Sequence, residues 1–240
     1  MFTNAYKWII SICSKYFSLL LIFLIMLFVF RPYDRGGFYY ATWQLALTGV
    51  VISSIFNVKH SRAGTWLFIG LGIPALIFNW LMILHPLPFF VYAFFILTFI
   101  FIMVSSASII LKVILNANVT LETLRGVVCV YFMIAFGFAF MFVLIEYTKP
   151  GSFLLETNTT VGFLHTHLLS EMMYFSFVTL LSIGFGTINA IGDVAQTFTI
   201  LEGMIGQFYV AILVARLIGV YSYYADLRAS KKKKELFPEH

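Results

Sequence analysis

Four stretches of this chain, residues 38–56, 66–84, 88–111 and 126–145, run for about 20 residues each without one charged side chain. That length and that lack of charge restrict a chain more than any motif, because such segments are stable across a hydrocarbon layer and not in water. Two further runs complete the pattern. Residues 8–30 carry only Lys15, near enough to one end to snorkel, and residues 194–220 carry Glu202 and Arg216. With 10% charged residues and a mean hydropathy of +0.97, there is too little charge to clothe a soluble domain of this size. An all-α membrane protein of six transmembrane helices is therefore expected. The first run is too long, and lacks the small-residue site, for a cleavable signal.

Lysine and arginine placement orients the spans. Eleven lie on one side (Lys7, Lys15, Lys59, Arg62, Lys112, Arg125, Arg228, Lys231, Lys232, Lys233 and Lys234) and three on the other (Arg31, Arg35 and Lys149). By the positive-inside rule both termini are expected in the cytoplasm. The basic tail is expected to meet lipid headgroups, with anionic lipid at Lys231 to Lys234, and no nucleic-acid motif accompanies it. Two cysteines, Cys13 and Cys129, fall in or beside apolar runs and indicate neither a disulfide framework nor a Cys metal site. Pro74 should kink the third span. Asn118 and Asn158 match the glycosylation pattern, which matters only in a eukaryotic secretory route.

The region between the fifth and sixth spans departs from this plan. After the turn "YTKPGSF" comes an apolar stretch of 14 residues, 168–181, then "SIGFGT", residues 182–187. The stretch is short for a crossing and suits a re-entrant helix; if it crossed, the basic tail would lie opposite the N-terminus. Asp193 and Gln196 are spaced as a capping pair for the last helix.

Irregular backbone at membrane depth survives only when buried in protein or lining water. A half-helix followed by an extended loop meets that condition where several copies surround one axis. The helix would aim its partially negative C-terminal end at the cavity, and the carbonyls of Ser182, Ile183, Gly184 and Phe185, with the Ser182 hydroxyl, would replace a cation's water shell. Gly184 and Gly186 supply the backbone freedom such a loop needs.

On these residues the chain resembles a known family. "YFSFVTLLSIGFGTI" followed by "LEGMIGQFYVAILVARLIG" is similar to the pore module of bacterial potassium channels of the two-helix ion-channel family, from "VYFMIAFGFAF" through "KPGSF" to about Tyr221. The resemblance implies a homotetrameric potassium pore in the bacterial inner membrane, with potassium ions in the filter as the only bound species and no cofactor. Against the usual T-T-V-G-Y-G-D of that family, Ser182, Ile183 and Phe185 keep the backbone ligands in place. Leu181 and Thr187 are the larger departures, and Thr187 removes a carboxylate from the outer mouth. Glu202 is expected to hydrogen-bond pore-helix or filter backbone. Gln207 either lines the cavity or bonds between helices, and Gly206 either acts as a hinge or packs closely.

The expected organisation is a four-helix domain without voltage-sensor arginines at 1–118, a pore domain at 119–223 and a short basic tail at 224–240. Two rival readings exist. One is a weakly selective monovalent cation channel, made plausible by Leu181 and Thr187. The other is a six-span membrane enzyme or metal site built on His165, His167 and Glu171, which lacks any HExxH-like signature. The fourth span carries one cation, Lys112, where each gating charge would couple only about 2.3 kcal/mol per 100 mV. Conductance is therefore expected to vary little with voltage. Patch recordings showing a steep sigmoidal conductance–voltage curve would contradict this.

Overall fold

The computed structural model describes residues 16–30, 37–57, 62–84, 87–115, 121–155 and 164–236. Outside them lie the start of the first expected span, Lys15, Cys13, both glycosylation sequons, most of the loops between the first five spans, and the 118/119 domain boundary.

Seven helices and a two-stranded ribbon make up the described chain. They are α1 (Tyr16–Val29), α2 (Gly37–Asn57), α3 (Arg62–Leu84), α4 (Pro88–Leu115), α5 (Leu121–Thr148), β1 (Phe153–Leu154), α6 (Leu164–Leu180), β2 (Asn189–Ala190) and α7 (Asp193–Leu236). Among the described residues, three segments are long and apolar enough to cross a membrane: Gly64–Met82, Pro88–Val113 and Glu122–Thr148. Phe17–Val29 and Ala41–Phe56 are shorter apolar helices. The chain is thus an all-α integral membrane protein.

Helix α5 is the hub. It packs against α1, α4, α6 and α7, while α2 packs on α1 and α3, and α3 on α4. Residues 133–140 of α5 are buried without interruption, which a helix shows only when neighbours cover it on all sides. Lipid removes the hydrophobic drive for helices to associate, so close fit and interhelical bonds must supply it. Small residues allow the fit: Ala135 and Ala139 on α5 and Ala46 on α2 are fully buried. A Cβ on Gly49 of α2 would come within 2.5 Å of the Phe23 ring on α1. Pro74 lies inside α3, which continues through it.

Polar side chains tie some of these helices together. Gln44 on α2 and Asn79 on α3, both buried, exchange side-chain amide hydrogen bonds. The Cys129 thiol donates to the Phe17 carbonyl at 3.5 Å, joining α5 to α1. The Arg216 side chain donates to the Val113 carbonyl near the C-terminus of α4. That is where a cation meets a helix dipole favourably.

Helix α7 has 44 residues, roughly 66 Å, about twice the hydrocarbon thickness. It passes 223/224 without a break, so the basic run is carried on the end of the same helix.

The Gln44–Asn79 pair sets a test. Asn79→Leu strands the Gln44 amide in an apolar interface and should cost about 1–3 kcal/mol, read as a lowered denaturation midpoint in detergent. Gln44→Leu combined with Asn79→Leu should recover most of that loss, because no polar group is then stranded.

Candidate functional site

The short helix α6 has 17 residues, three more than the apolar stretch marked in the sequence, because His165 and His167 join its first turn rather than the loop before it. At roughly 25 Å it still falls short of the hydrocarbon thickness. Aromatic rings hold it. Phe177 meets Phe28 of α1 at 4.7 Å between ring centroids and Phe136 of α5 at 5.3 Å. Phe175 meets Phe142 at 5.3 Å and Phe153 at 5.4 Å.

A single polar junction fixes its depth. The Ser176 hydroxyl, fully buried one turn before the end of α6, lies 2.6 Å from the Ala135 carbonyl of α5 and within hydrogen-bonding contact of Glu202 Oε1 on α7. Three helices therefore meet at one hydroxyl. The expected partner of Glu202 is pore-helix or filter backbone; in this geometry it is the Ser176 side chain of α6.

The end of α6 shapes the loop. Ile183 N–H donates to Val178 O and Ser182 N–H to Thr179 O, both at 2.9 Å, the paired bonds of a Schellman cap. Such a cap places its last turn residue in the left-handed region, and Ser182 has φ 55°. Glycine usually fills that place, since a side chain there costs about 1–2 kcal/mol. The next carbonyl, Leu180 O, accepts from the Tyr131 hydroxyl of α5 at 3.1 Å. The helix end that the sequence offers as a bare partial negative charge is thus largely satisfied by the chain itself.

Beyond the cap the backbone alternates. Ser182, Gly184 and Gly186 have φ of 55°, 65° and 77°, and Ile183 and Phe185 between them are not in that region. An ordinary strand turns successive peptide groups to opposite sides; a sign change at every second residue turns them to the same side. Residues 181–187 are all exposed in the isolated chain.

Outside the loop, Asn189 Nδ2 donates to Gly186 O at 2.9 Å. The Phe185 ring stacks nearly parallel on Tyr174, and the Thr187 hydroxyl lies 3.4 Å from the Tyr174 hydroxyl. Strands β1 and β2 pair antiparallel, Phe153 opposite Ala190, and clamp the loop's exit to the preceding turn. That turn is held by Glu146, whose carboxylate accepts from Gly151 N–H at 2.7 Å and Phe153 N–H at 3.0 Å. The start of α7 differs from expectation. Gln196 N–H donates to Gly192 O, which makes Gly192 the cap residue. The Gln196 side chain reaches back to the carbonyls of Ala190 and Ile191.

Of the other singled-out residues, Gly206 is buried where α7 crosses the end of α6, and a Cβ there would lie 2.5 Å from Leu180 O. Gln207 Nε2 donates to the Ser182 hydroxyl at 2.6 Å. His167 Nδ1 lies 3.4 Å from Glu171 Oε1, one turn on, and the His165 side chain is outside the described set. No group of three or more metal-ligating side chains occurs among the described residues. Tyr131, Glu146, Tyr174, Ser176 and Asn189 were not picked out by sequence reasoning. Ser176 left a trace, as a hydroxyl flanked by two phenylalanines in an apolar helix, and Glu146 another, as an acid just before a Lys-Pro-Gly turn.

Residues 152–223 match the family model for ion channels. That segment holds β1, α6, the alternating loop, β2 and the apolar part of α7, and the match supports an ion channel. The family is one of channels and not of enzymes, which sets aside the enzyme reading of His165, His167 and Glu171. No curated protein and no solved structure matches the chain significantly.

The Gly206 contact separates close packing from a hinge. Gly206→Ala should force α7 away from Leu180 O and lower the denaturation midpoint by the equivalent of about 1–3 kcal/mol. Gly70→Ala on α3, where a Cβ meets nothing within 4 Å, should leave it unchanged. A Gly206→Ala protein of full stability but altered open probability would favour the hinge.

Proposed function

We propose that the chain is the subunit of a homotetrameric potassium channel, with the carbonyls of residues 182–185 and the Ser182 hydroxyl as cation ligands and Gly186 completing the filter. The observation that carries this reading is the alternation of left-handed backbone at Ser182, Gly184 and Gly186, directly after a helix too short to cross. Carbonyls of several copies facing one axis are what dehydrated cation passage requires. The family match over 152–223 supports the same conclusion.

Two features favour assembly around that axis. Ile200, Met204, Phe208 and Ile212 recur every four residues on α7 and are all exposed in the single chain. Beside them a cavity of about 480 Å³, lined by Tyr174, Ser182, Gly184, Thr199 and Ile200 among others, opens between α6, the loop and α7. Neighbouring subunits would cover both. In this reading the protein has six spans with α6 re-entrant, sits in the bacterial inner membrane with both termini cytoplasmic, and binds potassium ions without a cofactor. Residues 1–118 then form the four-helix domain, 119–223 the pore domain and 224–240 a basic tail that continues the last helix, with Lys231 to Lys234 at the lipid surface.

Weak selectivity is the second reading, favoured by Leu181 and Thr187, both exposed at the two ends of the loop. Purified protein in liposomes decides between them. Potassium flux well above sodium flux is the expected result, equal fluxes would establish the weakly selective channel, and no flux of either would remove both.

A further inference from the structure

We propose that Gln207 is the positioning residue for the innermost cation ligand, the Ser182 hydroxyl, and thereby sets selectivity from the neighbouring helix. The proposal rests on the channel reading and names a determinant within that site.

A serine hydroxyl has one proton and two lone pairs, and it rotates freely unless something holds it. Here the backbone of Ser182 is held by the cap of α6, through its own N–H and that of Ile183. Its side chain is held separately, by Gln207 Nε2 from α7 at 2.6 Å. That donor takes one lone pair and leaves the other, with a defined direction, for a cation. Gln207 is able to reach because the preceding residue, Gly206, lets α7 come against Leu180 O, where any Cβ would sit only 2.5 Å from that oxygen. The two features act in series: the missing Cβ sets the approach, and the amide uses it.

This assignment gives Gln207 a different task from Glu202, five residues earlier. Glu202 bonds Ser176, within α6 and one turn before its end, and so positions the helix. Gln207 bonds a residue of the cation loop itself.

A double-mutant cycle on the full-length protein in liposomes tests this, read as the potassium/sodium permeability ratio. Gln207→Met keeps length and removes the donor; Ser182→Ala removes the ligand. Each is expected to lower the ratio by about three- to tenfold, the range of one hydrogen bond, and the double variant is expected to match either single one. Additive losses, or an unchanged ratio in Gln207→Met, would overturn the proposal. Absence of flux in the unsubstituted protein would overturn instead the channel reading beneath it. Solid-state NMR on the unsubstituted chain gives a check independent of variant folding. It should place the Gln207 amide nitrogen in hydrogen-bonding range of Ser182, and a separation well beyond that range would also overturn the proposal.

Discussion

Every unusual feature of this fold serves one requirement: seven residues of irregular backbone, 181–187, must be held in a shape that neither helix nor sheet would provide. In hydrocarbon an unpaired peptide group costs several kcal/mol, so loops at that depth exist only where protein or water satisfies them. The chain meets the requirement from both ends. The α6 cap uses the N–H groups of Ser182 and Ile183, and Asn189 takes the carbonyl of Gly186. Between those anchors the carbonyls of residues 182–185 have few internal partners among the described residues, and in the proposed channel they are the groups that meet a cation.

Holding the anchors apart by a fixed distance is the work of the surrounding helices. Lipid offers them little net drive to associate, and the interfaces show what replaces it. Small residues bring backbones close, aromatic edges fill the remaining space around Phe177 and Phe175, and isolated polar pairs set depth. The junction of Ala135, Ser176 and Glu202 is the most consequential of these pairs, because a one-turn slip of α6 against α5 or α7 would break it. Tyr131 and Tyr209 add two more ties, to Leu180 O and Val127 O, and stack beside each other. The outer ribbon and Glu146 close the structure on the other side.

The same arrangement leaves α7 half covered. Its inner face packs against α5 and α6, and its other face presents a regular apolar stripe beside the open loop. In the proposed channel a subunit built this way is incomplete alone. The loop, the stripe and the adjoining cavity all open to one side, which is the side on which further copies complete the channel reading.

Much of this was legible in the residues. Uncharged runs of spanning length determine a membrane-embedded helical chain whatever its neighbours, since the cost of burying charge in hydrocarbon depends on composition and length alone. Gly184 and Gly186, two residues apart after a short apolar stretch, announce an unusual backbone, and Glu202 announces a buried polar contact. Which groups meet was decided only by tertiary structure. Ser176 and Glu202 are 26 positions apart, Ser182 and Gln207 25, and Tyr131 and Leu180 49. Periodicity tells which face of a helix a residue occupies, but not how far one helix slides or rotates against another. That depends on the fit of many side chains at once, and here it makes Gly206 a contact with Leu180 O, makes Ser182 the cap of α6, and makes Gly192, not Asp193, the cap of α7.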